Sequence, residues 1–191
     1  MKKILPLLLL SSCALFAIKP YQAFYIDGGM GLELKDKIDT KTSTLTYQDP
    51  YNWYVGIGYQ YKNYRVELEQ ISSYGDLYSL SQVRASGDLT KSTQMLNLYY
   101  SAYNHSKMVL NLGAGAGISE TKLTNMVQNG VKVEDLKDTN SPSINAIISL
   151  GYFISDRLST TIKYRYLYTF DGDNFDANSQ TNVSLGLRID F

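Results

Sequence analysis

The chain has 191 residues, balances 18 basic against 18 acidic side chains, and carries 17 tyrosines and 14 glycines but a single cysteine, histidine and tryptophan. That length accommodates one ordinary domain, and a neutral balance with no basic stripe argues against nucleic acid as a partner. Mean hydropathy is slightly negative, and past the N-terminus no run approaches the roughly 18 apolar residues of a spanning helix, so any later membrane crossing must be made by strands.

Lys2 and Lys3 precede an apolar run from Ile4 to Leu10 that continues through Ala14-Leu15-Phe16-Ala17. This is the pattern of a secretion signal covering residues 1–17, with cleavage after Ala23 as the alternative; Tyr21 is bulky for the latter site. Cys13 lies inside this segment. Leu10-Ser11-Ser12-Cys13 resembles a lipoprotein box, but the apolar region runs past it, which favours an ordinary leader. A mature chain from about residue 24 then has no thiol for a disulfide or a nucleophile.

The mature chain repeats one pattern. Phe24, Ile26, Met30, Leu32 and Leu34 alternate with Tyr25, Asp27 and Glu33. After a polar stretch from Lys35 to Asp49, Tyr51, Trp53, Val55, Ile57, Tyr59 and Tyr61 share one face opposite Gly56, Gly58 and Gln60. Lys62-Asn63 reads as a two-residue hairpin turn, and Tyr64 to Gln70 sets Val66 and Leu68 against Arg65, Glu67 and Glu69. Ser72 to Ser92 reads as a long polar loop, followed by a strand over Thr93–Tyr103 and a turn at Asn104-His105-Ser106. Met108 to Ile118 alternates apolar residues with Gly113, Gly115 and Gly117. The longest loop is expected over Ser119–Pro142, then a strand over Ile144–Ile154, a turn at Ser155-Asp156-Arg157 and a strand over Leu158–Tyr168 bearing Lys163 and Arg165. An acidic stretch, Thr169–Gln180, leads to Asn182–Phe191, where Val183, Leu185, Leu187, Ile189 and Phe191 alternate with Asn182, Ser184, Gly186, Arg188 and Asp190. Period-2 alternation marks strands with one apolar face, and about ten residues suffice for a tilted strand to cross a bilayer.

Eight such strands joined by alternately long and short connections predict an all-β, eight-stranded antiparallel transmembrane barrel with four long outer loops and short periplasmic turns. A lipocalin also has eight alternating strands, and there the apolar face would point inward. Apolar-out is favoured by charges of both signs sharing a face with the glycines. Two aromatic girdles favour it as well: Phe24, Tyr59, Tyr61, Tyr64, Tyr152 and Phe191 below, Tyr51, Trp53, Tyr166 and Tyr168 above.

On Tyr164-Arg165-Tyr166, the Arg65 to Glu69 strand, the Gly113 to Gly117 alternation and the Leu185 to Phe191 terminus, the chain resembles the outer-membrane superfamily of OmpA transmembrane domains, OmpX and opacity-type surface proteins, without the peptidoglycan-binding domain of full-length OmpA. The resemblance implies a barrel in the outer membrane of a Gram-negative bacterium, in contact with outer-membrane lipid and lipopolysaccharide. It implies that Leu185, Leu187, Ile189 and Phe191 form the signal read by the barrel-assembly machinery, and that external loops meet a host or cell-surface ligand. This superfold hosts several activities. The charged positions Asp27, Glu33, Arg65, Glu67, Glu69, Lys163, Arg165, Arg188 and Asp190 share the inward face and are expected to form an ion-pair network filling a narrow lumen; the rival reading is a weakly conducting, charge-selective channel. Lipid A-modifying barrels resembling PagP or PagL would need a histidine near the outer rim, whereas His105, beside Ser106, falls in a periplasmic turn. No catalytic residue, cofactor or metal ligand set is expected.

Overall fold

The computed structural model describes residues 22–34, 37–41, 44–80, 83–105, 107–128, 131–132 and 134–191. The signal segment, Cys13 and Ser106 lie outside these. The described chain forms β1 (Gln22–Glu33), β2 (Lys37–Asp39), β3 (Thr44–Tyr61), β4 (Tyr64–Leu80), β5 (Val83–His105), β6 (Met108–Gln128), β7 (Val131–Lys132), β8 (Leu136–Phe153), β9 (Leu158–Thr169) and β10 (Asn178–Asp190). Consecutive long strands pair antiparallel, and β1 pairs with both β10 and β3, so β1, β3–β6 and β8–β10 close into an eight-stranded barrel while β2 and β7 are short additions on β3 and β6. Closure removes the edges that would otherwise leave backbone groups unpaired in lipid.

The alternation decides which face points where. Met30 is 71% exposed and Leu185 62%, with Ile57, Leu68, Leu96, Leu112, Ile148 and Ile162 also outward, while Asp27, Glu67, Asn97, Lys163 and Arg165 are buried inside. An apolar belt outside and charge inside is the polarity of a membrane barrel, and it rules out the lipocalin arrangement. Aromatics pair at both borders of the belt: Phe24 with Tyr59 (4.9 Å between ring centroids) and Tyr64 with Tyr100 (5.4 Å) below, Tyr51 with Tyr74 (5.4 Å) above. The glycines let inward rings lie flat against the neighbouring strand. A Cβ on Gly113 would stand 2.5 Å from Cδ1 of Tyr99.

Three of the four expected outer loops are largely sheet, whereas the fourth, Thr169–Gln180, keeps an irregular backbone between β9 and β10. β3 begins at Thr44, β4 and β5 run to Leu80 and from Val83, β6 reaches Gln128 and β8 starts at Leu136, so most of the polar stretches are sheet. They form a collar standing above the belt. Its residues keep the strand geometry and invert the chemistry: Leu45, Tyr47, Leu77, Ala85, Leu89, Leu123 and Met126 turn inward around Ile38 of β2, and the outward face becomes polar because it meets water instead of lipid. The segment after β9 closes the collar. Phe170 N donates to Pro142 O, Asp176 N to Asp39 O and Lys41 N to Asn174 O, which carries Phe175 into the apolar centre.

Candidate functional site

The lumen is filled in layers. At the periplasmic end Arg188 lies over the ring of Tyr25 (3.9 Å to the centroid), donates from Nε to Asp190 Oδ1 (2.9 Å) and from Nη2 to Gln60 Oε1 (2.7 Å). Arg65 stacks on Tyr99 (4.3 Å) and reaches Tyr25 (5.4 Å), so aromatic faces hold its guanidinium within electrostatic reach of Glu67. Beside them Ser101 donates to Asn111, which donates to Ser149, tying β5, β6 and β8 together.

The central layer is an ion cluster. Lys163 on β9 meets Asp27 (2.8 Å), Glu69 (3.3 Å) and Glu67 (3.4 Å), and Arg165 Nη2 donates to Glu69 Oε1. Neutral donors reach the same carboxylates. Tyr25 and Tyr99 hydroxyls each donate to Glu67 at 2.9 Å, Tyr54 to Asp27 at 3.2 Å and Asn97 to Glu69 at 2.7 Å. The Tyr54 ring lies 4.0 Å from the Lys163 ammonium. Burying charge is costly unless partners replace water, and here alternation brings the partners to one depth from β1, β3, β4, β5 and β9.

Above it lies a hydroxyl and amide layer. Lys91 Nζ crosses from β5 to Thr169 (2.7 Å) and Asn178 (3.2 Å), and Thr93, Ser119, Ser143 and Thr169 are joined hydroxyl to hydroxyl across β5, β6, β8 and β9. The apolar centre of the collar caps this layer. Its closing segment is held by Asp138, whose carboxylate accepts from Asn174 N (2.7 Å) and Phe175 N (3.0 Å), and by Lys41 paired with Asp176 (2.9 Å). The contact with Asp176 raises the Lys41 pKa above its ordinary value.

The nine charged positions expected in one network thus divide. Asp27, Glu67, Glu69, Lys163 and Arg165 come together; Arg188 and Asp190 form a separate pair; Arg65 is held by rings. Glu33 sits one layer higher, bonded by Gln180 (3.2 Å) and within electrostatic reach of Lys91. Leu185, Leu187 and Ile189 face outward from β10, and Phe191 N donates to Phe24 O. Lys91, Tyr25, Tyr54 and Tyr99 were missed from sequence. Lys91 falls in an expected loop, and sequence alone assigns the tyrosines no role although Tyr25 shares the parity of Asp27, Tyr54 that of Gly56 and Tyr99 that of Asn97. His105 ends β5 opposite Met108 at the periplasmic edge. Among the described residues no group of three or more His, Cys, Asp or Glu is placed to hold a metal.

Residues 98–190, just under half of the chain, match a family described as "Protein of unknown function, DUF481". Among curated proteins none matches in sequence. Solved structures match in fold. Neisserial surface protein A (NspA) is 14% identical, with a TM-score of 0.65 over 88% of this chain and 97% of that one. Ail, the attachment invasion locus protein of Yersinia pestis, solved with the heparin analogue sucrose octasulfate, is 15% identical, with a TM-score of 0.55 over 89% and 99%. The outer-membrane protein OprG from Pseudomonas aeruginosa is 14% identical, with a TM-score of 0.54 over 88% and 95%. The chain therefore has the fold of the small eight-stranded outer-membrane barrels.

Proposed function

We propose that this outer-membrane barrel conducts no solute and acts at the cell surface through its collar, as a structural and surface-interaction protein. The observation that carries the reading is double occlusion. A buried ion cluster with bound carboxylates crosses the lumen, and a separate apolar core seals the outer mouth above it. A path for hydrated ions would have to break both, and each is costly to open. The collar, by contrast, is built like an exposed binding platform: a continuous sheet with its own core, so its outward side chains are presented in fixed positions.

The charge of the collar narrows the partner. Asp39, Asp76, Asp88, Glu134, Asp135, Asp171 and Asp173 are exposed there against Lys41, Lys132 and Lys137, an acidic excess that disfavours a polyanion of the kind in the Ail complex and makes a neutral or basic surface of a host or neighbouring cell the better match. Catalysis forms no part of the proposal. The test compares cells displaying the full chain with cells whose collar hairpin 76–88 is replaced by a tight turn, on heparin-coated and polylysine-coated surfaces. Retention on polylysine that disappears with the hairpin supports the reading; equal retention of both cells, or retention on heparin, overturns it.

A further inference from the structure

The belt that faces lipid has one polar interruption. Gln70 of β4 and Gln94 of β5 point outward as register partners, flanked in their row by Val55 and Ile118. Among the described residues they are the only amide or charged side chains on the outward face between the Tyr64–Tyr100 pair below and the Tyr51–Tyr74 pair above. Gln70 lies four residues below Tyr74, and Gln94 four residues below Thr90, the register partner of Tyr74. At about 3.3 Å per residue and a strand tilt near 40°, both amides stand about 10 Å beneath the upper girdle.

Neither amide is satisfied within the chain. Gln70 uses its Nε2 on Ser92 Oγ (2.9 Å) and Ile71 O (3.1 Å), which leaves its Oε1 without a donor. Gln94 is exposed, and its side chain has no partner among the described residues. A bare amide in hydrocarbon is costly, because lipid offers nothing in exchange for the lost water. Height decides what can reach it. A register circuit that leaves β1 at Gln22 returns to β1 at Leu32, ten residues further out. Each step round the barrel therefore lifts the row by a little over one residue. That sets Gln94 level with Ala116 of β6, and Leu68 of β4 level with Ala114.

We propose that this face pairs with a second copy of the chain, in a homodimer whose twofold axis runs along the membrane normal and passes beside Gln94. A copy inserted in the same sense carries its own Gln94 at the same depth. The two amides then meet, each donating from Nε2 to the other's Oε1. The same axis sets β4 of one copy against β6 of the other. Leu68, 58% exposed, arrives opposite Ala114, and Gln70 arrives opposite Ala116, so large side chains enter the space left by small ones. Two shallow grooves mark that space, one of about 540 Å³ beside Ala116 and one of about 330 Å³ beside Ala114. Close packing and interchain hydrogen bonds drive association where lipid and protein are equally apolar. An acyl chain could fill the grooves but gives the amides no partner, and only the second copy does both.

Sedimentation equilibrium of the refolded protein in density-matched micelles measures the association. Wild type should equilibrate between monomer and dimer. Gln94→Leu suits the apolar belt and should keep the heat-modifiable gel shift of a folded barrel, while weakening the dimer about tenfold through loss of two reciprocal hydrogen bonds. Gln94→Met takes its place if the leucine variant folds poorly. Ala116→Phe, which fills the space for the partner's β4, should weaken the dimer at least as much. In lipid vesicles, Leu96→Cys in a Cys13→Ser background should cross-link to a dimer on oxidation, whereas Leu185→Cys, across the barrel on β10, should not. A folded wild type that stays monomeric, a dimer unchanged by Gln94→Leu, or cross-linking at Leu185 rather than Leu96 overturns the interface.

Discussion

Replacing Lys163 by Met removes the hub of the central layer while keeping side-chain length. The ammonium has three carboxylate contacts between 2.8 and 3.4 Å. At an effective dielectric constant near 20, each such contact is about 5 kcal/mol of Coulomb attraction, and desolvating the ammonium offsets several kcal/mol of the total. The variant loses the attraction and leaves Glu69 to Arg165 and Glu67 and Asp27 to the more distant field of Arg65. Tyrosine hydroxyls and Asn97 still bond these carboxylates, which limits the damage. The expected destabilisation is about 3–5 kcal/mol, the range for breaking a buried pair. Urea unfolding from lipid vesicles, followed through Trp53, the chain's one tryptophan, measures it. Adding Glu67→Gln and Glu69→Gln should recover part of the loss, because fewer charges are then stranded. A Lys163→Met barrel within 1 kcal/mol of the wild type (a threshold below the ~3–5 expected for a buried pair) would refute the reasoning.

Further outcomes follow from the same geometry. Gly113→Ala drives a methyl into the Tyr99 ring and should cost about 1–3 kcal/mol in the same assay, whereas Ala114→Leu on the adjacent outward position should be tolerated. Leu112→Arg places a cation in the apolar belt and should cost roughly 2–4 kcal/mol near the midplane. Leu123→Ala, fully buried in the collar core, should cost about 2–5 kcal/mol, seen as protease cleavage of the collar on intact cells while the barrel stays heat-modifiable. The hydrogen bonds from Lys137 and Lys122 hold the Glu120 carboxyl below its ordinary pKa. The tie between β6 and β8 is therefore fully present above the ordinary carboxylate pKa and is lost as pH falls through the lowered value, which hydrogen exchange across Glu120 to Lys122 should follow. A cysteine at Asn63 should resist external labelling on intact cells, and one at Asp173 should label.

The barrel was legible in the sequence because lipid enforces a strict rule. Every second residue of Asn182–Phe191 or Tyr51–Tyr61 had to be apolar, and the structure places those faces outward as read. The collar was not legible, because water on its outer face leaves only scattered inward apolar residues such as Leu45, Leu77 and Leu123. The alternation there is also broken. The β3–β4 register shifts between Thr46 and Tyr47 and again between Gln48 and Tyr51, and Asn125 and Asn140 adopt positive φ of 55° and 58° within β6 and β8, so a period-2 scan loses phase. Lys91 was lost with its strand. In the lumen, residue types and parity select the inward-facing charges but not which of them meet, because parity does not give depth: Glu33 shares a face with Asp27 and lies a layer above it.

Single-channel recording in planar bilayers measures occlusion directly. Refolded wild-type barrel should insert without steady conductance, and Arg165→Glu, though destabilised, should not create an ion-selective pore while the collar core remains packed. Steady, ion-selective current from the wild type, with selectivity changed by Arg165→Glu, would contradict a closed barrel and make the chain a channel.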